Sequence, residues 1–173
     1  MTWFKRELNN LVRNVRAGAR MMVFRRSAIG QVKVSVDQVF FLAALDVLIM
    51  FALDWADALP KPDFNVWGLA SAGFGFAALC IVAYVFARLH RNKTFIARFI
   101  VCAYSVSPWF TLLFFASKKS YYVVAAQFPW FAAILWWLSI AWFFAVIGWI
   151  LARIAGTRDR GWRVGATLAG FVA

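Results

Sequence analysis

Four long apolar segments occupy most of the chain from Gln38 onward, and the Lys and Arg residues are confined to the gaps between them very unevenly. The segments run over about Gln38–Leu59, Val66–Ala87, Phe95–Ala116 and Phe128–Ala152. Each is close to the ~20 residues of helix that cross a hydrocarbon layer ~30 Å thick. The expected fold is therefore an all-α integral membrane protein, a bundle of four transmembrane helices over residues 36–173 preceded by a basic segment over residues 1–35.

Charge sets the expected orientation. Eight cations lie in the first 35 residues, namely Lys5, Arg6, Arg13, Arg16, Arg20, Arg25, Arg26 and Lys33. Four more flank the second gap (Arg88, Arg91, Lys93, Arg98) and four follow the fourth span (Arg153, Arg158, Arg160, Arg163), against three elsewhere (Lys61, Lys118, Lys119). The positive-inside rule places the N-terminus and the two basic turns in the cytoplasm. A net charge of +12 in a chain that is 64% hydrophobic is too apolar for a soluble domain and too unevenly distributed for a disordered one. The cations neighbour anionic lipid headgroups and form no compact basic domain, so lipid is the expected partner and nucleic acid is not. The basic prelude is too long, and the first apolar run exceeds the ~7–15 residues of a signal-peptide core, so the first span is expected in the mature protein.

Within residues 1–35, Phe4, Leu8, Leu11, Val15, Ala19 and Met22 recur at three- and four-residue intervals among the cations. This predicts an amphipathic helix in the cytoplasmic leaflet, with Lys5, Arg6, Arg13, Arg16, Arg20, Arg25 and Arg26 on headgroup phosphates. The alternative is that the same stripe packs on a partner protein or on the spanning bundle.

Polar residues inside spans are the candidate functional ones. Asp46 falls about halfway along the first span, where a carboxylate must pair, protonate or face a cavity. Tyr104, at matching depth in the third span, is the expected partner. Arg98 lies shallower and either reaches toward Asp46 or snorkels to headgroups. Pro108 removes a backbone donor from the third span and predicts a kink. Asp37 and Gln38 have the character of a helix N-terminal cap. Gly68, Ser71, Ala72 and Gly75 form a small-residue stripe in the second span that suits close helix packing. The Trp-rich fourth span reads as bulky packing against lipid and neighbours, with Tyr121–Ala126 before it at the outer surface or in a short separate helix. Val164–Ala173 is half a span, either re-entrant or the beginning of a fifth helix in a longer chain.

Cys80 and Cys102 lie in different spans and the single His90 lies in a turn, so neither a metal site nor a Cys and His catalytic pair is expected. No nucleophile, base and oxyanion set can be assembled, so the chain is not expected to be an enzyme, and no cofactor is implied.

Tyr84 to Arg88, followed by Phe95, Arg98, Ala103, Tyr104, Ser105 and Pro108, resembles the Yip family of small multi-span proteins. The resemblance implies a membrane bundle that engages a protein partner. Phe24-Arg25-Arg26, Gln38, Asp46, Asp54-Trp55 and Phe64-Asn65 with Gly68-Leu69 are similar to the membrane segment preceding legumain-type cysteine peptidase domains in some bacterial proteins. That likeness implies an anchor in a bacterial inner membrane, belonging to a longer peptidase-bearing protein. Two function classes follow: a non-catalytic membrane scaffold or anchor that organises lipid, a protein partner or a second copy, and a small transporter or channel using Asp46.

Overall fold

Ser35 ends the basic segment and starts the first long apolar helix. Its Oγ accepts the Gln38 N–H at 3.1 Å, one half of a capping box. Ser35, not Asp37 or Gln38, is thus the cap, and Asp37 sits in the first turn, where its charge complements the helix dipole.

The computed structural model describes residues 2–58, 66–91, 94–124 and 128–155. These form six helices: α1 (Trp3–Met22), α2 (Arg26–Gln31), α3 (Val36–Ala58), α4 (Val66–Leu89), α5 (Phe95–Val124) and α6 (Pro129–Ile154), with no strand among the described residues. Three runs are long and apolar enough to cross a membrane: Val36–Asp57, Phe95–Ser120 and Pro129–Ile154. In α4 the apolar run over described residues is the shorter Gly73–Leu89. Only 6% of the most apolar stretch of α3 is buried, and Phe40 and Leu48 are 70% and 65% exposed. Phe74 of α4 and Trp137 of α6 are likewise exposed. A continuous apolar exterior is unfavourable in water and is what a helix facing lipid must present.

α5 is the centre of the bundle. Phe95, Phe99, Val101, Val106 and Phe110 are almost fully buried along it, and α1, α3, α4 and α6 all pack against it. It continues through Val124, so Tyr121–Val124 extends this helix and is not a separate one. The polar stretch Ser117-Lys118-Lys119-Ser120 reads as a break, yet these residues tolerate a helix well and find partners on its neighbours. Ser117 Oγ lies 3.0 Å from Ser139 Oγ of α6, and both lysines pair with Asp57 of α3. α6 begins with Pro129 in its first turn, where a missing N–H costs nothing.

The basic segment follows the second of its two expected readings, packing on the spanning bundle. α1 does not lie apart from the bundle: its buried face is Glu7, Asn14, Ala17, Gly18 and Met21, and it packs on α5 and the start of α3. The apolar stripe lies to one side of that face, with Phe4 and Leu8 exposed and Leu11, Val15 and Met22 partly buried against the core. After α1 the chain reverses through Phe24, whose φ of 56° is left-handed. The Phe24 N–H reaches the Met21 carbonyl and the Arg25 N–H the Arg20 carbonyl, the paired bonds of a Schellman ending. The Phe24 ring then lodges edge-on between Trp142 and Trp149 of α6, with centroids at 5.2 and 5.7 Å.

Of the small-residue stripe of α4 only Gly75 falls where side-chain positions are described. Gly75 is exposed and a Cβ there would meet nothing within 4 Å, while the side-chain positions of Gly68, Ser71 and Ala72 lie outside the described residues. Among the described residues of α4, Ala83 and Ala87, one turn apart, are buried. The basic turn from Thr157 and the half-span Val164–Ala173 lie outside the described residues.

Candidate functional site

Asp46 sits on α3 opposite the middle of α5. Ser107 Oγ donates to its Oδ2 at 2.8 Å and Thr111 Oγ1 donates to its Oδ1 at 3.1 Å. Tyr104 is not a hydrogen-bond partner of Asp46: it is buried one turn nearer the start of α5, with its ring 5.9 Å from that of Phe76 on α4. Depth counted from the helix starts located the level of Asp46 to within about a turn. α3 and α5 run parallel, with Asp46 opposite Ser107 and Thr111 and Asp57 opposite Lys118 and Lys119, so the remaining offset is the relative shift of the two helices. Arg98 is exposed and makes no ion pair with Asp46. Pro108 is buried between the two hydroxyl donors, inside a helix that continues past it.

On another side of α5, the same segment holds α1. Trp109 Nε1 donates to the Val15 carbonyl at 2.9 Å. At Gly18 the two backbones approach so closely that a Cβ would stand within 2.5 Å of the Ser105 carbonyl carbon, and nearer still to its oxygen. Residues 105–111 therefore touch α1 through Ser105 and Trp109 and α3 through Ser107 and Thr111.

A buried polar network fixes the other end of α1. Gln38 Nε2 donates to the Glu7 carbonyl at 2.9 Å and to Glu7 Oε2 at 3.0 Å, and Gln38 Oε1 accepts from Asn14 Nδ2 at 2.9 Å. Asn14 also exchanges both bonds with the Lys33 backbone, at 2.8 and 3.0 Å. The amide of Gln38 is the main cause that holds the Glu7 carboxyl below its usual range; burial opposes it, and Asn10 and Arg6 add to it. No buried side-chain nitrogen or oxygen among the described residues lacks a partner, so the network is complete.

The cations of this segment divide into two sets. Arg13 Nε donates to the Gln31 carbonyl and Arg20 Nη1 to Gln31 Oε1, at 2.8 and 2.6 Å, binding α2 to α1. Arg6 contacts Glu7. Lys5, Arg16, Arg25, Arg26 and Lys33 are exposed, and no hydrogen bond or ion pair of their side chains is seen within the described residues.

At the opposite end of the bundle Asp57 takes both Lys118 and Lys119, and Lys119 also lies 5.6 Å from the centre of the Phe115 ring. Among the described residues no three His, Cys, Asp or Glu side chains converge as a metal site would require.

Comparison with protein-family models, with curated proteins and with solved structures gave no match.

Glu7, Asn14, Gly18 and Thr111 were not singled out from the sequence. Thr111 carried a usable signal, since it stands four residues after Ser107 and so shares its face of the helix.

Proposed function

We propose that this chain is a four-span integral membrane protein of a bacterial inner membrane, N-terminus cytoplasmic, acting as a non-catalytic scaffold or anchor. The observation that carries this reading is the rigid seating of a cationic helical hairpin on an apolar bundle. Buried side chains hold α1 against α3 and α5, while Lys5, Arg16, Arg25, Arg26 and Lys33 stay exposed. Fixed cations beside an apolar surface attract anionic headgroups by about 1 kcal/mol each. Exposed Trp3, Phe4 and Leu8 beside them suit the acyl boundary. The neutralisation of Lys118 and Lys119 by Asp57 adds to the charge asymmetry behind the orientation. The Yip-like residues agree with a protein partner, and the peptidase-anchor resemblance with a role in a longer protein.

The test is lipid selectivity of the purified protein in nanodiscs, combined with copurification of partners from native membrane. Anionic lipid should be retained in preference to zwitterionic lipid, and the triple variant Arg16→Glu, Arg25→Glu, Arg26→Glu should lose that preference. Equal retention of both lipids by the native protein would remove the headgroup role. For orientation, single cysteines at Arg91 and Lys119, in a chain with Cys80 and Cys102 replaced, should label from opposite sides. Labelling of position 91 from outside would refute it.

A second reading, an ion-handling membrane protein, has its own support in the Asp46, Ser107 and Thr111 cluster beside Pro108, which removes one backbone donor from the continuous helix α5.

A further inference from the structure

We propose that Asp46, Ser107, Thr111 and the Tyr104 carbonyl form a binding site for one small alkali cation, Na+ being the best fit. The inference deepens the ion-handling reading and rests on it, and it is separate from the headgroup role of α1.

The first argument is charge. Asp46 takes part in none of the ion pairs of the described residues; Lys118 and Lys119 are engaged by Asp57, and Arg98 is exposed nearer the start of α5. A carboxylate inside an apolar bundle without a basic partner is neutralised by a proton or by a bound cation. One carboxylate balances a single positive charge, so a divalent ion would leave an excess charge in a medium that solvates it poorly.

The second argument is lone pairs. Both carboxylate oxygens accept hydroxyl bonds, from Ser107 at 2.8 Å and Thr111 at 3.1 Å. A proton or a cation can add at the remaining lone pair of a carboxylate oxygen without breaking either bond; a cation gains in addition the two hydroxyl oxygens, each of which keeps lone pairs after donating its hydrogen. The ligands are all hard oxygens, the type that alkali and alkaline-earth ions prefer.

The third argument is the proline. Tyr104, Ser107 and Thr111 are spaced to share one face of α5, and Pro108 has no N–H for the Tyr104 carbonyl. That carbonyl, relieved of its helical donor about one turn from Ser107, would add a fifth oxygen to the two of Asp46 and the two hydroxyls. Discontinuous membrane helices hold cations with freed carbonyls; α5 is continuous, and the Tyr104 carbonyl is the one that Pro108 deprives of its donor.

The test is thermal unfolding of the purified full chain in detergent, with NaCl exchanged for choline chloride at constant ionic strength and pH 8. The melting temperature should rise with Na+ and saturate, as mass action requires of a ligand that binds only the folded state. The double variant Ser107→Ala, Thr111→Val keeps the carboxylate and should need roughly 10-fold more Na+ for half the effect. Asp46→Asn should abolish it. Equal melting in Na+ and choline, or an undiminished Na+ effect in both variants, overturns the site. Stabilisation by acid alone, with no response to Na+, identifies a proton site and overturns the alkali assignment. Uptake of 22Na into proteoliposomes separates the two claims: no uptake with an intact Na+ response removes transport and leaves the binding site standing.

Discussion

Gly18 shows how one missing side chain positions a helix. Its neighbour is the Ser105 backbone, which cannot rotate away, so Gly18→Ala must push α1 and α5 apart. The expected loss is about 1–3 kcal/mol, typical of overpacking a closed contact. Gly30, whose Cβ would meet nothing within 4 Å, should accept alanine without packing loss and serves as the control. Comparable melting of the two variants would contradict the close crossing. Glu7 gives a pH signature. Its folded carboxyl titrates below the unfolded value because of Gln38 first, so the stability it adds is complete above the unfolded carboxylate pKa. That stability is lost as pH falls through the lower folded value. Glu7→Gln should therefore be less stable than the native chain at neutral pH and lose less on acidification. Parallel acid limbs in a pH series of melting curves would show that Glu7 is not linked to the fold.

Among the elements, the turn after α1 makes two opposed demands on one residue. Phe24 adopts a left-handed φ that costs a side-chain-bearing residue about 1–2 kcal/mol, and its ring is held between Trp142 and Trp149. Phe24→Ala keeps the backbone cost and loses the ring contacts, whereas Phe24→Gly loses the contacts and relieves the backbone. Both should destabilise, with glycine better than alanine by about 1 kcal/mol; the reverse order in unfolding measurements would show that the turn is not left-handed. The same contrast explains what was legible in the sequence. Apolar runs of span length located α3, α5 and α6 because length and hydropathy depend on nothing outside the segment. The expected cap, at Asp37 and Gln38, falls two to three residues late, although the spacing from Ser35 to Gln38 carries the capping pattern. Packing of α1 on the bundle was one of two readings of its stripe, but the docked face was not legible, because Glu7, Asn14 and Gly18 lie beside that stripe and gain meaning only with Gln38 and Ser105 opposite them. For Asp46 the depth was readable from residue counts, but the choice of Ser107 and Thr111 over Tyr104 required the relative shift of two helices.

For the whole molecule, the question is whether the basic segment is an appendage or part of the bundle. As an interfacial helix on a separate bundle, α1 could be removed with little effect on the spans. Here Met21, Ala17, Ala28 and Ile29 of the segment belong to the same buried cluster as Phe99, Val101 and Ile150, and Trp109 has its indole bond to Val15. Removing residues 2–34 would uncover that face of α5 and strand the polar ends of Gln38 and Trp109 in an apolar surface, losing several kcal/mol of packing and hydrogen bonding. At ~2–4 °C per kcal/mol for a chain of this size, the melting temperature should fall by roughly 10 °C or more. The triple charge reversal at Arg16, Arg25 and Arg26 alters only exposed positions and should melt within a few degrees of the native protein while losing anionic lipid. If truncation leaves the melting temperature unchanged, the hairpin is a detachable anchor. If both variants fall together, the exposed cations are structural and the headgroup role fails with them.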